Sequence, residues 1–136
     1  MFVLNKTKPK ILIVDDNPVC RKQTEATAQK NCECVCVNCG EDAVTAFVDT
    51  FKNQERKFDA ILLDFEMPTM NGLAVIAEIR KSEQKLQISK EEQVKIIMAT
   101  SHNDRQVINA CKTMGCNHYI LQSTFTTGDH APVNLS

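Results

Sequence analysis

An α/β fold built around a parallel sheet is what this sequence predicts, on two observations. Five short apolar runs punctuate it: Ile11–Val14, Cys34–Val37, Ala60–Leu63, Val94–Ala99 and Tyr119–Leu121. The first, third and fourth are nearly continuous rather than alternating, as expected of strands covered on both faces. Between the runs lie segments of helical period. Pro18 suits a first helical turn, and the stretch it opens continues to Lys30. Glu41–Phe51 carries Ala43, Val44, Phe47 and Phe51 at helical spacing. Gly72–Lys81 carries Leu73, Val75, Ile76 and Ile79. Asp104–Met114 carries Val107, Ile108, Cys111 and Met114, with Gly115 placed to end it. Ser82–Gln93, polar and charged, reads as an extended connection. Strand and helix alternate throughout, which implies right-handed crossovers between parallel strands.

Length and charge narrow the functions. At 136 residues, with 43% hydrophobic and 24% charged residues, the chain has ordinary globular composition and can bury one core. A net charge of −1 gives no field to gather nucleic acid. No stretch reaches the roughly 20 apolar residues of a membrane span, and the amino-terminal apolar run is too short for a secretory signal. The expectation is a cytoplasmic protein, with access to the nucleus, that contacts neither membrane nor nucleic acid directly.

Seven cysteines are many for this size. Cys32, Cys34 and Cys36 alternate with Glu33 and Val35, so on a strand they share one face. Structural zinc usually draws thiolate pairs from Cys-x-x-Cys turns. Only Cys36 and Cys39 have that spacing, with a partial echo in Cys111 and Cys116. Reduced, mostly buried thiols fit better than a metal site or a disulfide framework.

The chemistry lies where strands end. Open α/β sheets hold ligands outside the carboxyl ends of their strands. Asp15 and Asp16 follow the first run, Asp64 the third, and Thr100 with Ser101 the fourth. Three carboxylates brought together repel, and burial raises their pKa values unless a cation compensates. An all-oxygen, carboxylate-rich site suits Mg²⁺ or Mn²⁺ rather than zinc.

These segments carry a resemblance. Ile11-Leu-Ile-Val-Asp-Asp-Asn-Pro18, Leu62-Leu-Asp-Phe-Glu-Met-Pro-Thr-Met-Asn-Gly72 and Ile97-Met-Ala-Thr-Ser101 resemble the signature segments of response-regulator receiver domains, the CheY-like family. The likeness includes short plant regulators without an output domain. It implies a flavodoxin-like five-stranded sheet in order 2-1-3-4-5, and a receiver unit over 10–125. Residues 1–9 would be an amino-terminal extension and 126–136 an irregular tail. It further implies Asp64 as phosphoacceptor, and Asp15, Asp16, Asp64 and the backbone carbonyl of Glu66 around Mg²⁺ or Mn²⁺. Thr100 would contact the phosphoryl group and Tyr119 would be the aromatic switch. The implied donor is a histidine-phosphotransfer protein or a histidine kinase.

Departures from the family are as informative. Gln122 stands where receivers carry a lysine. A charge pair about 4 Å apart is worth roughly 4 kcal/mol at an effective dielectric of 20, before desolvation. Gln122 supplies a hydrogen bond and no charge, so slow phosphorylation or weak switching is expected. Ser123 replaces the usual proline. The tail after Phe125 is too short and broken for a final helix, which is expected to be short or missing. The segment after Pro18 is polar, with Gln23, Thr24, Thr27 and Gln29 where an apolar stripe is expected. One sheet face would then be undercovered, leading to a homodimer, a docked partner or marginal stability. His102, His118 and His130 lack the setting of a phosphotransfer histidine.

The leading expectation is a stand-alone receiver of a His-Asp phosphorelay. It would be a phosphoacceptor rather than an enzyme, with at most self-phosphotransfer and autodephosphorylation. The alternative is a degenerate receiver that binds partners without being phosphorylated. A haloacid-dehalogenase-type phosphatase would need Asp-x-Asp after the first strand, where Asp-Asp-Asn-Pro stands. A dinucleotide enzyme would need a glycine-rich turn after Val14.

Overall fold

The computed structural model describes residues 8–65, 67, 70–100 and 105–121, the last by its backbone. The elements alternate as β1 (Lys10–Val14), α1 (Pro18–Ala28), β2 (Glu33–Val37), α2 (Gly40–Lys52), β3 (Ala60–Asp64), α3 (Gly72–Lys85), a 3₁₀ turn (Lys90–Glu92), β4 (Lys95–Thr100), α4 (Arg105–Met114) and β5 (His118–Leu121). The five strands are all parallel, in the order β2-β1-β3-β4-β5. This is the expected flavodoxin-like topology. Its strand order reverses at β1 and β3, the strands that carry the aspartates.

Each strand divides its side chains between two faces. Leu12, Val14, Ile61, Leu63, Ile96 and Met98 point to one face, against Ala43 and Phe47 of α2, Val75, Ile76 and Ile79 of α3, and Cys111 of α4. Most of these are fully buried, and each large side chain so placed contributes roughly 1.5–3 kcal/mol. Ile11, Ile13, Ala60, Leu62, Ile97 and Ala99 form the other face, with Cys32, Cys34, Cys36, Ala28 and Ile120 against it. The cysteines of β2 do share a face. They are half-buried rather than mostly buried, because β2 is the edge strand; Cys111 alone is fully buried among the seven.

Helix α1 meets that second face with little apolar surface. Its stripe at four-residue spacing is Cys20, Thr24 and Ala28, of which Thr24 alone is buried. Residues 122–136, where a short or missing final helix is expected, lie outside the described residues. So do the extent of cover they give this face and the place of Gln122 relative to the site.

A second expectation is corrected. Ser82–Gln93 is not an extended connection: α3 runs on to Lys85, and Lys90–Glu92 form a 3₁₀ turn. The buried stripe of α3 continues through Ile76 and Ile79 to Glu83, which is 1% exposed. The Glu83 carboxylate accepts hydrogen bonds from Arg80 Nη1 (2.7 Å) and from the Val94 backbone N–H (2.7 Å). A charged residue at a core position hides the periodicity that would extend the helix.

Candidate metal and phosphoacceptor site

Strand ends and one helix cap build the site. Strand β1 stops after Val14, and the Asp15 N–H still donates to the Val37 carbonyl at 3.2 Å. The chain then turns through an Asx hydrogen bond, Asn17 N–H to Asp15 Oδ1 at 2.9 Å. Asn17 in turn caps α1, its Oδ1 accepting from the N–H groups of Val19 (2.9 Å) and Cys20 (3.1 Å). Pro18 fits the first helical position because it has no N–H to satisfy. The motif Asp-Asp-Asn-Pro is thus a strand stop, a turn, a cap and a helix start in four residues. Arg21, one turn into α1, closes the corner by donating from Nη1 to the Asp15 carbonyl at 2.8 Å.

Asp64 is the last residue of β3, in register with Ala99 of β4, and the Phe65 N–H donates to the Ala99 carbonyl at 2.9 Å. The loop that follows returns at Gly72, whose N–H reaches the Phe65 carbonyl at 3.2 Å. A Cβ on Gly72 would lie 2.8 Å from Met98 Cε and 3.1 Å from Phe65 Cα, so only glycine lets α3 start this close to the strand end. Asn71 caps α3 through Ala74 N–H at 3.0 Å. Thr100 ends β4 and is 1% exposed. Tyr119 sits on β5 opposite Met98 and is 39% exposed.

The structure brings together Asp15, Asp16 and Asp64: one carboxylate oxygen from each lies within 4.8 Å of the others. Asp15 and Asp64 are buried and Asp16 faces solvent. Burial pushes the Asp15 carboxyl above its ordinary range, and the charge of Asp16 adds to this; the Asn17 N–H, a hydrogen bond shared with Asp64, and Arg21 oppose it. Like charges crowded in a partly buried pocket are costly without a cation, and an oxygen-only set of this kind fits a hard divalent ion. It is the only such cluster of three or more metal-ligating side chains among the described residues. The Glu66 carbonyl, Ser101, His102 and Gln122 lie outside those residues.

The sequence of residues 11–125 matches the family model of the response regulator receiver domain. The chain belongs to that family. Hybrid signal transduction histidine kinase C of Dictyostelium discoideum is 34% identical over 112 residues, covering 82% of this chain and 9% of that protein. Two-component response regulator ORR8 of rice is 28% identical over 116 residues, covering 85% of this chain and 88% of that one. Response regulator protein VraR of Staphylococcus epidermidis is 33% identical over 119 residues, covering 85% and 50%. The chain thus spans a small part of the hybrid kinases it matches and most of the short rice regulator. Among solved structures, the receiver domain of the Arabidopsis thaliana histidine kinase CKI1 superposes with a TM-score of 0.74 at 22% identity, covering 89% of this chain and 85% of that one. That likeness shows the receiver fold. A receiver domain of two-component signalling is therefore what this chain contains. No helix among the described residues is long and apolar enough to cross a membrane.

Two contributors escape sequence reasoning. Arg21 carries a signal only in hindsight of the turn: its place three residues after the proline aims it back at the strand end. The Arg80 and Glu83 pair is hidden because Glu83 falls inside a segment that reads as a connection.

Proposed function

We propose that this receiver accepts a phosphoryl group on Asp64 from a phosphohistidine of a histidine-phosphotransfer protein or histidine kinase, and signals through a partner protein. The observation that carries the reading is the placement of the Asp64 carboxylate, at a strand end and within 4.8 Å of oxygens from Asp15 and Asp16. An Asp64 carboxylate oxygen attacks phosphorus, the P–N bond to the donor imidazole breaks, and an acyl phosphate forms on Asp64. Such transfers depend on positioning and charge neutralisation.

Asp15, Asp16 and Asp64, with the Glu66 carbonyl, would hold Mg²⁺ or Mn²⁺. A divalent ion there supplies the positive charge that lets an anionic donor approach a carboxylate. One solved structure of the CKI1 receiver is a complex with Mg²⁺ and BeF₃⁻, and another solved structure pairs a yeast phosphotransfer protein, Ypd1, with the receiver domain of Ssk1. Both support the family chemistry. Thr100, at the end of β4, is the hydroxyl assigned to the phosphoryl group, and Tyr119 the aromatic that follows it. The receiver unit extends over 10–125, and the chain serves as acceptor rather than as a turnover enzyme.

Gln122 favours one second reading, a receiver that binds partners without phosphorylation, because the lysine charge is missing from its place. Incubation with a phosphorylated histidine-phosphotransfer protein and Mg²⁺ separates the two. Label that moves to the chain and disappears with Asp64→Asn supports phosphoacceptance. Absence of label, where an ordinary receiver is labelled, leaves the second reading.

A further inference from the structure

We propose that Arg80 is a positioning residue for the switch: its guanidinium grips the α4–β5 junction, so that a response to phosphorylation is confined to the parts of β4 and β5 beyond that junction. The proposal rests on the reading of Asp64 as phosphoacceptor.

A guanidinium has five N–H donors, and here all are used. Nη1 donates to Glu83 Oε1 (2.7 Å) and to the Val94 carbonyl (2.9 Å). Nη2 donates to the Gly115 carbonyl (2.8 Å) and to Asn117 Oδ1 (2.9 Å), and Nε to the same Gly115 carbonyl (3.2 Å). One side chain of α3 therefore ties down the end of α4, the approach to β4 and the start of β5.

Gly115 is shaped for this grip. Its φ of +111° is the left-handed region that ends α4, and a Cβ there would stand 3.0 Å from Arg80 Nε. Asn117 completes the anchor. Its N–H donates to the Ile96 carbonyl and its Oδ1 accepts from the Ile96 N–H, both at 2.8 Å, which adds a pair of bonds before the β4–β5 ladder begins. The same helix starts at Gly72, directly after the Asp64 loop, and Arg80 lies roughly 12 Å further along its axis. Helix α3 is a strut with the phosphoacceptor loop at one end and the α4–β5 junction at the other.

Thr100 stands at the far end of β4, and Tyr119 lies on β5 just beyond the Asn117 anchor, opposite Met98. A hydroxyl moving toward Asp64 and a ring following it need a fixed end to move against. Without the anchor, β5 and α4 can shift as a body, and the change at Thr100 no longer specifies where Tyr119 goes.

Arg80→Lys tests this while keeping a cation for the buried Glu83: lysine can pair with that carboxylate but cannot span Gly115 and Asn117 together. Amide hydrogen exchange is measured with Mg²⁺ alone and with Mg²⁺ plus beryllium fluoride, a phosphoryl mimic, for the unaltered chain and the variant. In the unaltered chain, beryllium fluoride slows exchange at Tyr119–Leu121 and leaves Cys116–His118 unchanged. In Arg80→Lys, exchange at Cys116–His118 rises about tenfold in both states, and slowing at Tyr119–Leu121 is lost. Asn117→Ala removes one prong of the grip and should give the same pattern, which covers the case in which Arg80→Lys does not fold. Full ligand-dependent slowing in a folded variant overturns the positioning role alone. No response in the unaltered chain overturns the Asp64 reading and this inference with it.

Discussion

Replacing Asp15 by asparagine should stabilise this protein when Mg²⁺ is absent and remove its response to Mg²⁺. The Asp15 oxygen lies within 4.8 Å of oxygens from Asp16 and Asp64. Two unit charges about 4.8 Å apart repel by about 3.5 kcal/mol at an effective dielectric of 20, and by about 1 kcal/mol in bulk water. Asp64 is buried with Asp15, so the first figure is the scale for that pair, while exposed Asp16 belongs to the second. The hydrogen bond shared by Asp15 and Asp64 relieves part of the repulsion. A net gain of roughly 2 kcal/mol follows, or about 6–8 °C in melting temperature for a domain of this size. Asparagine keeps an oxygen for the Asn17 N–H that now bonds Asp15 Oδ1.

The sign with pH is fixed by the direction of the Asp15 shift. Its carboxyl is raised in the folded state, so the charged form opposes folding above that titration, and protonation at lower pH already supplies the relief. The advantage of Asp15→Asn should therefore be present at pH 7.5 and fade on acidification. Thermal unfolding with and without Mg²⁺ is the assay. The unaltered chain should gain stability as Mg²⁺ rises through its dissociation constant, about 2.7 kcal/mol at a hundredfold excess. A variant that is less stable without Mg²⁺, or that responds to Mg²⁺ like the unaltered chain, would refute the electrostatic account of the cluster.

Three further outcomes are expected. Glu83→Ala leaves Arg80 and the Val94 N–H without their buried acceptor and should cost about 3–5 kcal/mol in urea unfolding; a loss below about 1 kcal/mol would show the pair to be dispensable. Burial pushes the thiols of Cys36 and Cys116 up to about 11, so both should resist alkylation in the folded protein near pH 8. As their pKa values are raised on folding, stability should fall between pH 9 and 11, and a flat profile there would contradict the burial of these thiols. Gln122→Lys restores the charge that the family carries at this position of the sequence and should accelerate phosphorylation; an unchanged rate would mean the missing lysine does not limit transfer.

Much of this is legible in the sequence because continuous apolar runs mark strands covered on both faces, and because carboxylates directly after such runs must lie at one sheet edge. Ile11–Val14 followed by two aspartates gives a strand and half of the site at once. What the sequence conceals comes from side chains used against type. Glu83 occupies a core position that hydrophobic periodicity assigns to an apolar residue, so the pattern of α3 stops at Lys81 while the helix does not. Cys39 caps α2, its Sγ accepting from the Asp42 N–H at 3.4 Å, a task that serine or aspartate would announce. The β2 thiols read as mostly buried, whereas their strand lies at the sheet edge, a position that only the strand order reveals.

The most direct test of the central claim locates the phosphoryl group itself. After transfer from a phosphorylated histidine-phosphotransfer protein in the presence of Mg²⁺, borohydride reduction of the acyl phosphate marks the modified carboxyl, and peptide mass mapping reads its position. The expected result is a single mark at Asp64, absent when Mg²⁺ is chelated. A mark at Asp15 or Asp16, or none while a control receiver is marked under the same conditions, would contradict it.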